Sequence, residues 1–220
     1  MRVGREHACA LDADGRATCW GKDTFGQLSE PREALRDIAP GDQHTCAARA
    51  DGSLTCWGRD FAGSLSPPAG DYVAVDAGPN YACALRVDGQ IACWGEALFG
   101  RTSPPTGTFV SLSVGVAHAC ALRDDDTITC WGRDDDGRAS APGGSFTGVD
   151  AGETASCGVT TSGDLVCWGS DPRSDSIASP PTVTGAASVG VGARHGCALE
   201  ASGSLTCWGY DVDARATPPL

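Results

Sequence analysis

Short apolar runs separated by turn residues set the pattern of this chain. In one well-formed stretch they occupy positions 72–77, 81–85 and 90–95, with Gly78 and the pair Asp88-Gly89 between them. Runs of about four to eight residues bounded by Gly and Asp are typical of β-strands, and the helical period of about 3.6 residues is missing. The pattern predicts three strands and a weak fourth in this stretch. The 30 glycines and 13 prolines of the chain indicate many turns.

The same arrangement occurs six times along the chain. Each repeat carries a Cys, nine further residues and then Cys-Trp-Gly, and the first cysteines are 37 residues apart four times and 40 apart once. Similarity at a period in this range predicts stacked units that share one architecture. The cysteine pairs, which number the repeats 1 to 6 below, are Cys9 with Cys19, Cys46 with Cys56, Cys83 with Cys93, Cys120 with Cys130, Cys157 with Cys167 and Cys197 with Cys207.

The turn residues fix the register within a repeat. Asp14-Gly15 is a strong hairpin signal, and a three-residue loop with its glycine in the left-handed conformation places Asp12 opposite Arg16. Counting outward from that pair brings Cys9 opposite Cys19 on one face of the hairpin. Directly opposed side chains need little adjustment to form a disulfide, so we expect one disulfide across every hairpin. The turn of repeat 4 lacks the glycine and is less defined.

Both faces of the hairpin are predicted to be buried. In repeat 1, Cys9 and Leu11 lie on one face, and Ala10 and Trp20 lie on the other. Neither set is polar, and small alanines beside a tryptophan favour interdigitation with a neighbouring sheet. A small sheet covered on both faces and repeated in series is typical of a β-propeller blade. The predicted fold is an all-β propeller of six blades, each with three to four antiparallel strands; β-helix coils are usually shorter, and kelch-type and WD-type repeats are usually longer.

Charge and hydropathy exclude some classes of partner. The chain has 28 acidic and 16 basic residues, a net charge of −12 and a pI near 4.5. Phosphate backbones and anionic membrane surfaces would be repelled, so neither nucleic acid binding nor membrane insertion is predicted, whereas a basic partner would be attracted. No apolar run approaches the roughly 18 residues that a membrane-spanning helix needs.

The ends of the chain bear on its organisation. The first cysteine follows Met1 within eight residues, so we expect no signal peptide here and interpret the chain as a mature or truncated piece. Six full periods would need more than the 220 residues present, and the shortfall falls on the first strand of repeat 1. We expect one repeat domain over residues 1–220 with a truncated first strand, which either closes with one trimmed edge or forms part of a longer array.

The cysteines indicate the redox compartment. All 12 fall into matched pairs, a usage typical of oxidising compartments, so we expect a secreted or cell-surface protein. Zinc ligation is an alternative, although no close Cys-x-x-Cys spacing occurs and a site would need cysteines from two repeats. Reduced, buried thiols are the remaining alternative.

Two further sets of residues are candidate ligands. The histidines share one position of the repeat, which Tyr81 and Ala155 fill in repeats 3 and 5, so a structural position that donates a hydrogen bond to a neighbouring loop is favoured over a metal ring. The Asp-rich residues 124–126 and 134–137 could hold calcium or form solvated turns. No metal, cofactor or catalytic residue is predicted. The histidines are His7, His44, His118 and His195, and aspartates that begin related loops are Asp23, Asp60, Asp171 and Asp211.

Motifs of repeats 1 and 2 resemble a known family. Repeat 2 reads Gly41-Asp42-Gln43-His44-Thr45-Cys46-Ala47 and then Asp51-Gly52-Ser53-Leu54-Thr55-Cys56-Trp57-Gly58, and repeat 1 adds Gly26-Gln27-Leu28. These motifs resemble the regulator-of-chromosome-condensation repeat family, and more closely its short-repeat bacterial branch, which includes the propeller-type β-lactamase inhibitor. The resemblance covers essentially the whole chain and implies a propeller, although family members usually have seven blades. The eukaryotic member acts as a nucleotide-exchange factor through an inserted wedge, and the near-uniform period here leaves no such insertion.

The sequence favours a non-catalytic interaction protein over an enzyme. Variation between repeats is concentrated after each Cys-Trp-Gly, and we expect an extracellular scaffold that binds a protein partner through these loops on one face of the propeller. A secreted enzyme inhibitor, implied only by the resemblance, and a self-associating structural or filament protein are the alternatives. The loops are residues 22–28, 59–65, 96–101, 133–138, 170–177 and 210–215. The predicted contact residues are Phe25, Phe61, Phe99, Asp135 and Tyr210, since aromatic residues often dominate interfaces.

Overall fold

A computed structural model describes residues 1–170 and 176–210 of the chain. This part is all-β apart from one short 3₁₀ helix, Leu98–Gly100, and none of its helical segments is long and apolar enough to cross a membrane. The strands up to Val114 are β1 (Arg2–Val3), β2 (His7–Leu11), β3 (Ala17–Gly21), β4 (Leu35–Pro40), β5 (His44–Arg49), β6 (Leu54–Gly58), β7 (Tyr72–Ala77), β8 (Tyr81–Arg86), β9 (Ile91–Gly95) and β10 (Phe109–Val114). The following strands are β11 (His118–Arg123), β12 (Ile128–Gly132), β13 (Phe146–Ala151), β14 (Ala155–Thr160), β15 (Leu165–Gly169), β16 (Ala186–Val191), β17 (His195–Glu200) and β18 (Leu205–Gly209).

Each repeat forms one sheet of three consecutive antiparallel strands, called here the first, middle and third strands. In repeat 2, for example, the middle strand β5 pairs with β4 on one side and with β6 on the other. The described residues therefore contain six three-stranded sheets, the lower of the two strand numbers that the sequence predicts. The chain divides into two compact units, Met1–Val114 and Gly115–Leu220.

The hairpin register agrees with the prediction. The Asp12 N–H donates to the Arg16 carbonyl at 3.0 Å, and Cys9 lies opposite Cys19. Because hydrogen-bonded and non-hydrogen-bonded pairs alternate along an antiparallel ladder, the cysteines occupy the narrower, non-hydrogen-bonded kind of pair. Their Cα atoms are 4.1 Å apart, and the five other cysteine pairs have the same register and 4.0–4.1 Å separations.

The predicted disulfide is present in every hairpin. No cysteine of the described residues is free, so the alternatives of zinc ligation and of reduced thiols do not apply to this structure. The six disulfides join Cys9 to Cys19, Cys46 to Cys56, Cys83 to Cys93, Cys120 to Cys130, Cys157 to Cys167 and Cys197 to Cys207.

The two cysteines of a disulfide differ in burial. The first lies in the middle strand, between two other strands, and is fully buried in repeats 1 to 5. The second lies in the third strand, which has a paired strand on one side only, and it is partly buried in all six repeats. The prediction that both faces of the hairpin are buried therefore holds less completely for the third strand. The partly buried second cysteines are Cys19, Cys56, Cys93, Cys130, Cys167 and Cys207.

The turn between middle and third strands needs a residue with positive φ. Gly15 supplies it in repeat 1, where φ is 77° and its N–H donates to the Asp12 carbonyl at 3.1 Å. In repeat 4 this position is Asp126, with φ of 66° and the equivalent hydrogen bond to the Arg123 carbonyl. Asp tolerates the left-handed region better than most residues, so repeat 4 keeps the same turn without a glycine.

The core lies between successive sheets. The face of a sheet that carries the disulfide, called here the Cys face, packs against the face of the next sheet that carries the tryptophan, called the Trp face. Between repeats 2 and 3, Cys46 and Ala48 of the Cys face pack with Ala84 and Trp94 of the Trp face. A Cys face and the Trp face of the following repeat also form the apolar clusters between repeats 1 and 2, between repeats 4 and 5, and between repeats 5 and 6. Alanines on these faces allow the large indole to fit between two sheets.

Burial of the tryptophans follows from this stacking in repeats 3 to 6, whereas Trp57 of repeat 2 is partly buried and Trp20 of repeat 1 is exposed. The prediction that they belong to the core is confirmed for Trp94, Trp131, Trp168 and Trp208, which are all buried. For repeat 1 the prediction that both faces are buried is wrong, because Trp20 is exposed. The Trp face of a repeat is covered by the sheet before it, and no sheet precedes repeat 1 in the first compact unit.

Aspartates join the first strands of neighbouring sheets. In each case one carboxylate oxygen accepts the backbone N–H of a valine in the following first strand, so a charge-assisted hydrogen bond adds to the apolar packing. These bonds are Val75 N to Asp37 Oδ2 (3.0 Å), Val114 N to Asp76 Oδ2 (2.7 Å) and Val191 N to Asp150 Oδ2 (2.6 Å).

Candidate protein-interaction surface

The loops that follow the third strands all begin at the same fixed point. Their first residue donates its backbone N–H to the carbonyl of the residue just before the middle strand, at 2.8–3.0 Å in all six repeats. In repeat 2 this bond joins Arg59 to Gln43. The preceding Gly58 has φ of 104°, and a Cβ atom there would lie 2.6 Å from the Gln43 carbonyl oxygen. The glycine of Cys-Trp-Gly is therefore required by this close approach.

Aspartates close the loops, as the turn interpretation predicts. Oδ1 of Asp23 accepts the backbone N–H of Leu28 at 2.9 Å, and Oδ1 of Asp134 accepts that of Ala139 at 2.8 Å. Asp60 makes the equivalent bond in repeat 2 at 3.3 Å. Within residues 1–170 and 176–210 no three His, Cys, Asp or Glu side chains are grouped so that they could hold a metal ion. The other two predicted loop aspartates, Asp171 and Asp211, lie outside the described residues.

One buried residue anchors each of the first five loops. It is the seventh residue after the tryptophan in repeats 1 to 4 and the ninth in the longer loop of repeat 5. In repeats 1, 2, 4 and 5 its backbone carbonyl accepts the indole N–H of the next repeat's tryptophan; Trp57 Nε1, for example, donates to the Gln27 carbonyl at 2.9 Å. The bonds from Trp94, Trp168 and Trp208 are 2.9–3.0 Å long. The anchors are Gln27, Ser64, Arg101, Arg138 and Ile177.

The histidine position strengthens the same anchor. His7 Nε2 lies 2.8 Å from the hydroxyl of Thr45 in the next repeat, and that hydroxyl donates to the Gln27 carbonyl at 3.0 Å. Since the hydroxyl has one proton and gives it to the carbonyl, His7 Nε2 must be the donor in the first bond. The same relay joins His118, Ser156 and the Arg138 carbonyl in the second unit. The predicted structural role is seen, with a strand hydroxyl as the immediate partner.

His44 lacks this partner because Ala82 occupies the position that Thr45 and Ser156 fill in other repeats. Among the described residues its Nε2 is buried without a hydrogen-bond partner. Burial lowers the pKa of His44 to about 4, and the neighbouring His7 contributes to the shift. Burial likewise lowers the pKa of His118 to about 4. Both rings are therefore neutral at pH 7.

Apolar side chains form the exposed tips of the loops of repeats 1, 2 and 3. Phe25, Phe61, Leu98 and Phe99 are between 40% and 56% exposed. The Arg59 guanidinium of repeat 2 lies 5.0 Å from the centre of the Phe25 ring of repeat 1, so these two loops also meet at their surface. Three of the predicted contact residues thus occupy equivalent, outward-facing loops of the first unit.

The tip at repeat 3 has a left-handed backbone, which the equivalent residue Ala62 of repeat 2 shares with φ of 54°. Phe99 has φ of 60°, in the left-handed region that disfavours residues with a Cβ atom. The anchor Arg101 lies two residues further on, stacks at 4.7 Å over the buried Tyr81 ring and donates from Nε to the Glu96 carbonyl at 2.8 Å. These interactions hold both sides of the tip and keep Leu98 and Phe99 facing solvent.

The loop of repeat 4 is polar. Asp135, a predicted contact residue, is exposed and pairs with Arg133 at 2.6 Å. Asp136 pairs with the buried guanidinium of Arg138, which lowers the pKa of that carboxyl to about 2, and it also accepts the Ser170 hydroxyl at 2.8 Å. The Arg138 side chain reaches the Glu153 carbonyl as well, at 2.6 Å. This loop therefore offers fixed charges where the first three offer aromatic rings.

The last predicted contact residue is Tyr210. It is exposed, and the Arg194 guanidinium lies 3.5 Å from the centre of its ring. The remaining residues of the two last loops, 171–175 and 211–215, lie outside the described residues. Tyr210 is thus placed at the start of its loop, in the same position as Arg59 in repeat 2.

Sequence reasoning missed the buried anchors and the hydroxyls of Thr45 and Ser156. The anchor position contains Gln, Ser, Arg, Arg and Ile, so its residue types share no chemistry. Its constant spacing of seven residues from the tryptophan in repeats 1 to 4 was the only available signal. What the repeats share at this position is a backbone carbonyl, which every residue type supplies.

Six disulfide-bonded, three-stranded sheets in series define a repeat protein of the β-propeller class. The family model of the regulator of chromosome condensation (RCC1) repeat matches residues 2–27, 36–64, 109–138 and 146–173, just over half of the chain. The chain belongs to this repeat family. No curated protein sequence matches it significantly.

Solved structures confirm the fold. The ectodomain of the receptor kinase CR4 from Physcomitrella patens is 24% identical with a TM-score of 0.76, covering 94% of this chain and 60% of that one. The ectodomain of the Arabidopsis thaliana receptor kinase ACR4 is 23% identical with a TM-score of 0.76, covering 94% and 77%. Prp20p from Saccharomyces cerevisiae, whose structure was described with its binding to Gsp1p and histones, is 16% identical with a TM-score of 0.82, covering 96% and 71%. This chain thus spans three fifths of the moss ectodomain.

Proposed function

We propose that this chain is an extracellular, non-catalytic scaffold that binds a protein partner through the tips of its loops. One observation carries the proposal: Phe25, Phe61 and Phe99 are exposed on equivalent loops of three consecutive repeats. Exposed apolar side chains grouped at one end of a fold favour a protein-binding role, whereas single ones need no explanation.

The rigidity of the loop bases supports this role. Indole hydrogen bonds from Trp57 and Trp94 hold the loops of repeats 1 and 2, and a stacked Arg101 holds that of repeat 3. Ordering a flexible side chain on binding costs about 0.5–1.5 kcal/mol, and a pre-ordered surface avoids part of that cost. Aromatic rings on fixed loops are therefore well suited to act as the main contacts of an interface.

The strained conformation of Phe99 favours the same interpretation. A non-glycine residue in the left-handed region costs on the order of 1–3 kcal/mol and persists only where its surroundings impose it. Here this conformation keeps a large apolar ring and the adjacent Leu98 more than half exposed to solvent. A partner that covers both side chains would recover the free energy of their burial.

The disulfides and the charge support an extracellular site and a basic partner. Six cross-strand disulfides are stable in an oxidising compartment and rare in the cytosol. A net charge of −12 would speed the approach of a positively charged protein and weaken that of an acidic one.

The test compares three forms of the disulfide-bonded chain as bait in extracellular fluid of its source. The wild type is set against a triple loop variant, F25A/F61A/F99A, and against a control, V87A/V110A, which removes exposed aliphatic side chains outside the loops. A partner captured by the wild type and the control should be lost from the triple variant. Titration calorimetry with the purified partner should show about 100-fold weaker binding, since each aromatic contact contributes roughly 1 kcal/mol or more.

Equal affinity of the wild type and the triple variant for that partner would refute the loop-tip proposal. Equal loss of binding in V87A/V110A would place the surface elsewhere. Peptide mapping without reduction must show all six disulfides in every form, so that lost binding is not lost folding.

A further inference from the structure

Cationic side chains in the loops after the third strands are paired with carboxylates of the chain, with one exception. In repeat 1, Lys22 Nζ lies 2.9 Å from Glu6 Oε1. Arg59 occupies the same position in repeat 2, but its contact is a neutral amide, because Nη1 donates to Gln43 Oε1 at 2.7 Å. Among the described residues of these loops, Arg59 is therefore the cation without a carboxylate partner. The other paired cations are Arg101 with Glu96, Arg133 with Asp135 and Arg138 with Asp136.

The structure holds Arg59 in place through both its main chain and its side chain. Its N–H donates to the Gln43 carbonyl at 2.9 Å, and its carbonyl accepts the Ser64 hydroxyl at 3.4 Å. The guanidinium is held by the Gln43 amide and by the Phe25 ring, whose centre lies 5.0 Å away. Because Arg59 is exposed, this ordered cation faces solvent.

Most of the hydrogen-bonding capacity of this guanidinium is unused. A guanidinium has five N–H donors, and within residues 1–170 and 176–210 Arg59 gives one of them to a side-chain acceptor. The nearby rings of Phe25 and Phe61 are 40% and 42% exposed. A planar cation beside apolar rings is suited to a carboxylate, which can accept two parallel N–H bonds from it.

We infer that Arg59 binds a carboxylate of the partner protein, from an Asp or Glu side chain that lies next to apolar residues of that partner. This inference rests on the loop-tip function, because the apolar neighbours would cover Phe25 and Phe61. Covering these rings excludes water from the ion pair and strengthens it. The net charge of −12 acts at longer range and still favours a partner that is basic overall.

The test uses a library of random peptides displayed on phage, which does not require the natural partner. The baits are the disulfide-bonded wild-type chain, R59Q and the control K22Q, which removes the same charge at the equivalent position of repeat 1. Peptides selected by the wild type and by K22Q should carry Asp or Glu beside apolar residues. R59Q should lose this preference for Asp or Glu and keep the preference for apolar residues.

The affinity of one selected peptide then measures the strength of the pair. In fluorescence anisotropy the wild type should bind about 10-fold more weakly when the Asp or Glu of the peptide is replaced by Asn or Gln. With R59Q the acidic and amide peptides should bind equally. With R59K the difference should be intermediate, since lysine keeps the charge but lacks the planar fork.

A wild-type selection that yields no peptides, or no enrichment of Asp or Glu, overturns the inference, and so does an equal enrichment on R59Q. Apolar peptides without acidic residues that are lost in F25A/F61A/F99A would leave the loop-tip function standing and remove the role of Arg59. Acidic peptides that F25A/F61A/F99A retains and R59Q loses would support the carboxylate site and contradict the loop-tip function.

Discussion

At the scale of single residues, the histidine relay shows how the repeats hold one another. His7 and His118 each reach a hydroxyl in the next repeat, and that hydroxyl reaches a loop carbonyl. For His44 the corresponding position of the next repeat is Ala82, and the buried Nε2 has no such partner among the described residues. A buried donor without an acceptor costs about 1–3 kcal/mol, so the relay is a source of stability that repeat 2 lacks.

Ala82→Ser should complete the relay and raise the free energy of unfolding by about 1 kcal/mol. Ser156 performs this role for His118, so the geometry accepts a serine hydroxyl. The measurement is urea unfolding with the disulfides intact. The matched control is Ala84→Ser on the same strand, where an equally buried hydroxyl has no histidine to meet and should destabilise the chain. If both serines destabilise it equally, the relay does not contribute.

The buried histidines also predict sensitivity to acid. The pKa values of His44 and His118 are lowered from 6.5 to about 4 in the folded chain. The unfolded state therefore binds more protons between these values, and stability should fall as pH falls from about 6.5 to about 4. The loss is on the order of 3 kcal/mol per histidine at most. In H44Q/H118Q the same pH series of urea unfolding curves should be flatter, and an unchanged slope would assign the effect to other groups.

The sequence could identify the histidine position but not its partner. Four histidines at one repeat position, with Tyr81 and Ala155 in the others, indicate structure, and this inference needs no coordinates. The hydroxyl lies 38 residues away on another sheet. Its contact depends on how two sheets are staggered, which the pattern within one repeat does not specify.

At the scale of the element, the hairpin is determined by local chemistry. The Asp-Gly turn fixes the pairing of Asp12 with Arg16, and alternation along the strands then brings the cysteines together. Even the turn without glycine is the same, since Asp126 adopts the required φ. The register of a β-hairpin can be deduced from sequence because the turn residues and the two strands that set it lie within about a dozen residues of one another.

Removing one hairpin disulfide should cost stability without changing the fold. Replacing both Cys83 and Cys93 by alanine opens a loop whose ends are 10 residues apart, for which loop-closure entropy gives about 3 kcal/mol. Both alanines are small enough for the interface between the sheets. Calorimetry should show a lowered melting temperature, and circular dichroism at about 20 °C, where the folded state of a typical domain is near its most stable, should be unchanged. Loss of the β signal under those conditions would mean that this disulfide is essential for folding.

The loop anchors make a prediction of their own. Arg138→Gln removes the guanidinium that lowers the pKa of Asp136 to about 2, so that pKa should rise toward its ordinary value of 3.8. An NMR titration of the Asp136 carboxyl carbon measures this directly. Ser170→Ala, which removes the weaker hydroxyl bond, is the control and should give a smaller rise. A pKa that stays near 2 in Arg138→Gln would show that the ion pair does not control the carboxyl.

At the scale of the whole molecule, the repeat made the fold predictable. A constant period, paired cysteines and sheets apolar on both faces predicted a propeller of disulfide-bonded blades, and the family match and solved relatives agree. The exposure of Trp20 was not predictable in this way, because its local sequence equals that of the buried tryptophans. The difference lies in the sheet that covers the tryptophan. A repeat pattern does not reveal it, because the pattern describes every repeat as if it had a neighbouring sheet on both faces.

The candidate surface was predictable only in part. Phe25, Phe61 and Phe99 stand out in sequence because each is the one aromatic residue of its loop, and the structure exposes all three to solvent. The anchors beneath them vary in type, so their common role appears only when Gln27, Ser64 and Arg138 are seen to present the same carbonyl to the next sheet. Variation at the tips above a constant base is the organisation that a binding scaffold needs.

The most direct test of the scaffold account is hydrogen exchange of the chain with and without its captured partner, followed by mass spectrometry. Binding through the loop tips should slow exchange in the complex at residues 22–28, 59–65 and 96–101, with no change at the hairpin turns around Gly15, Gly52 and Gly89. Protection confined to those turns, at the opposite end of the hairpins, would contradict the claim that the loop tips form the binding surface.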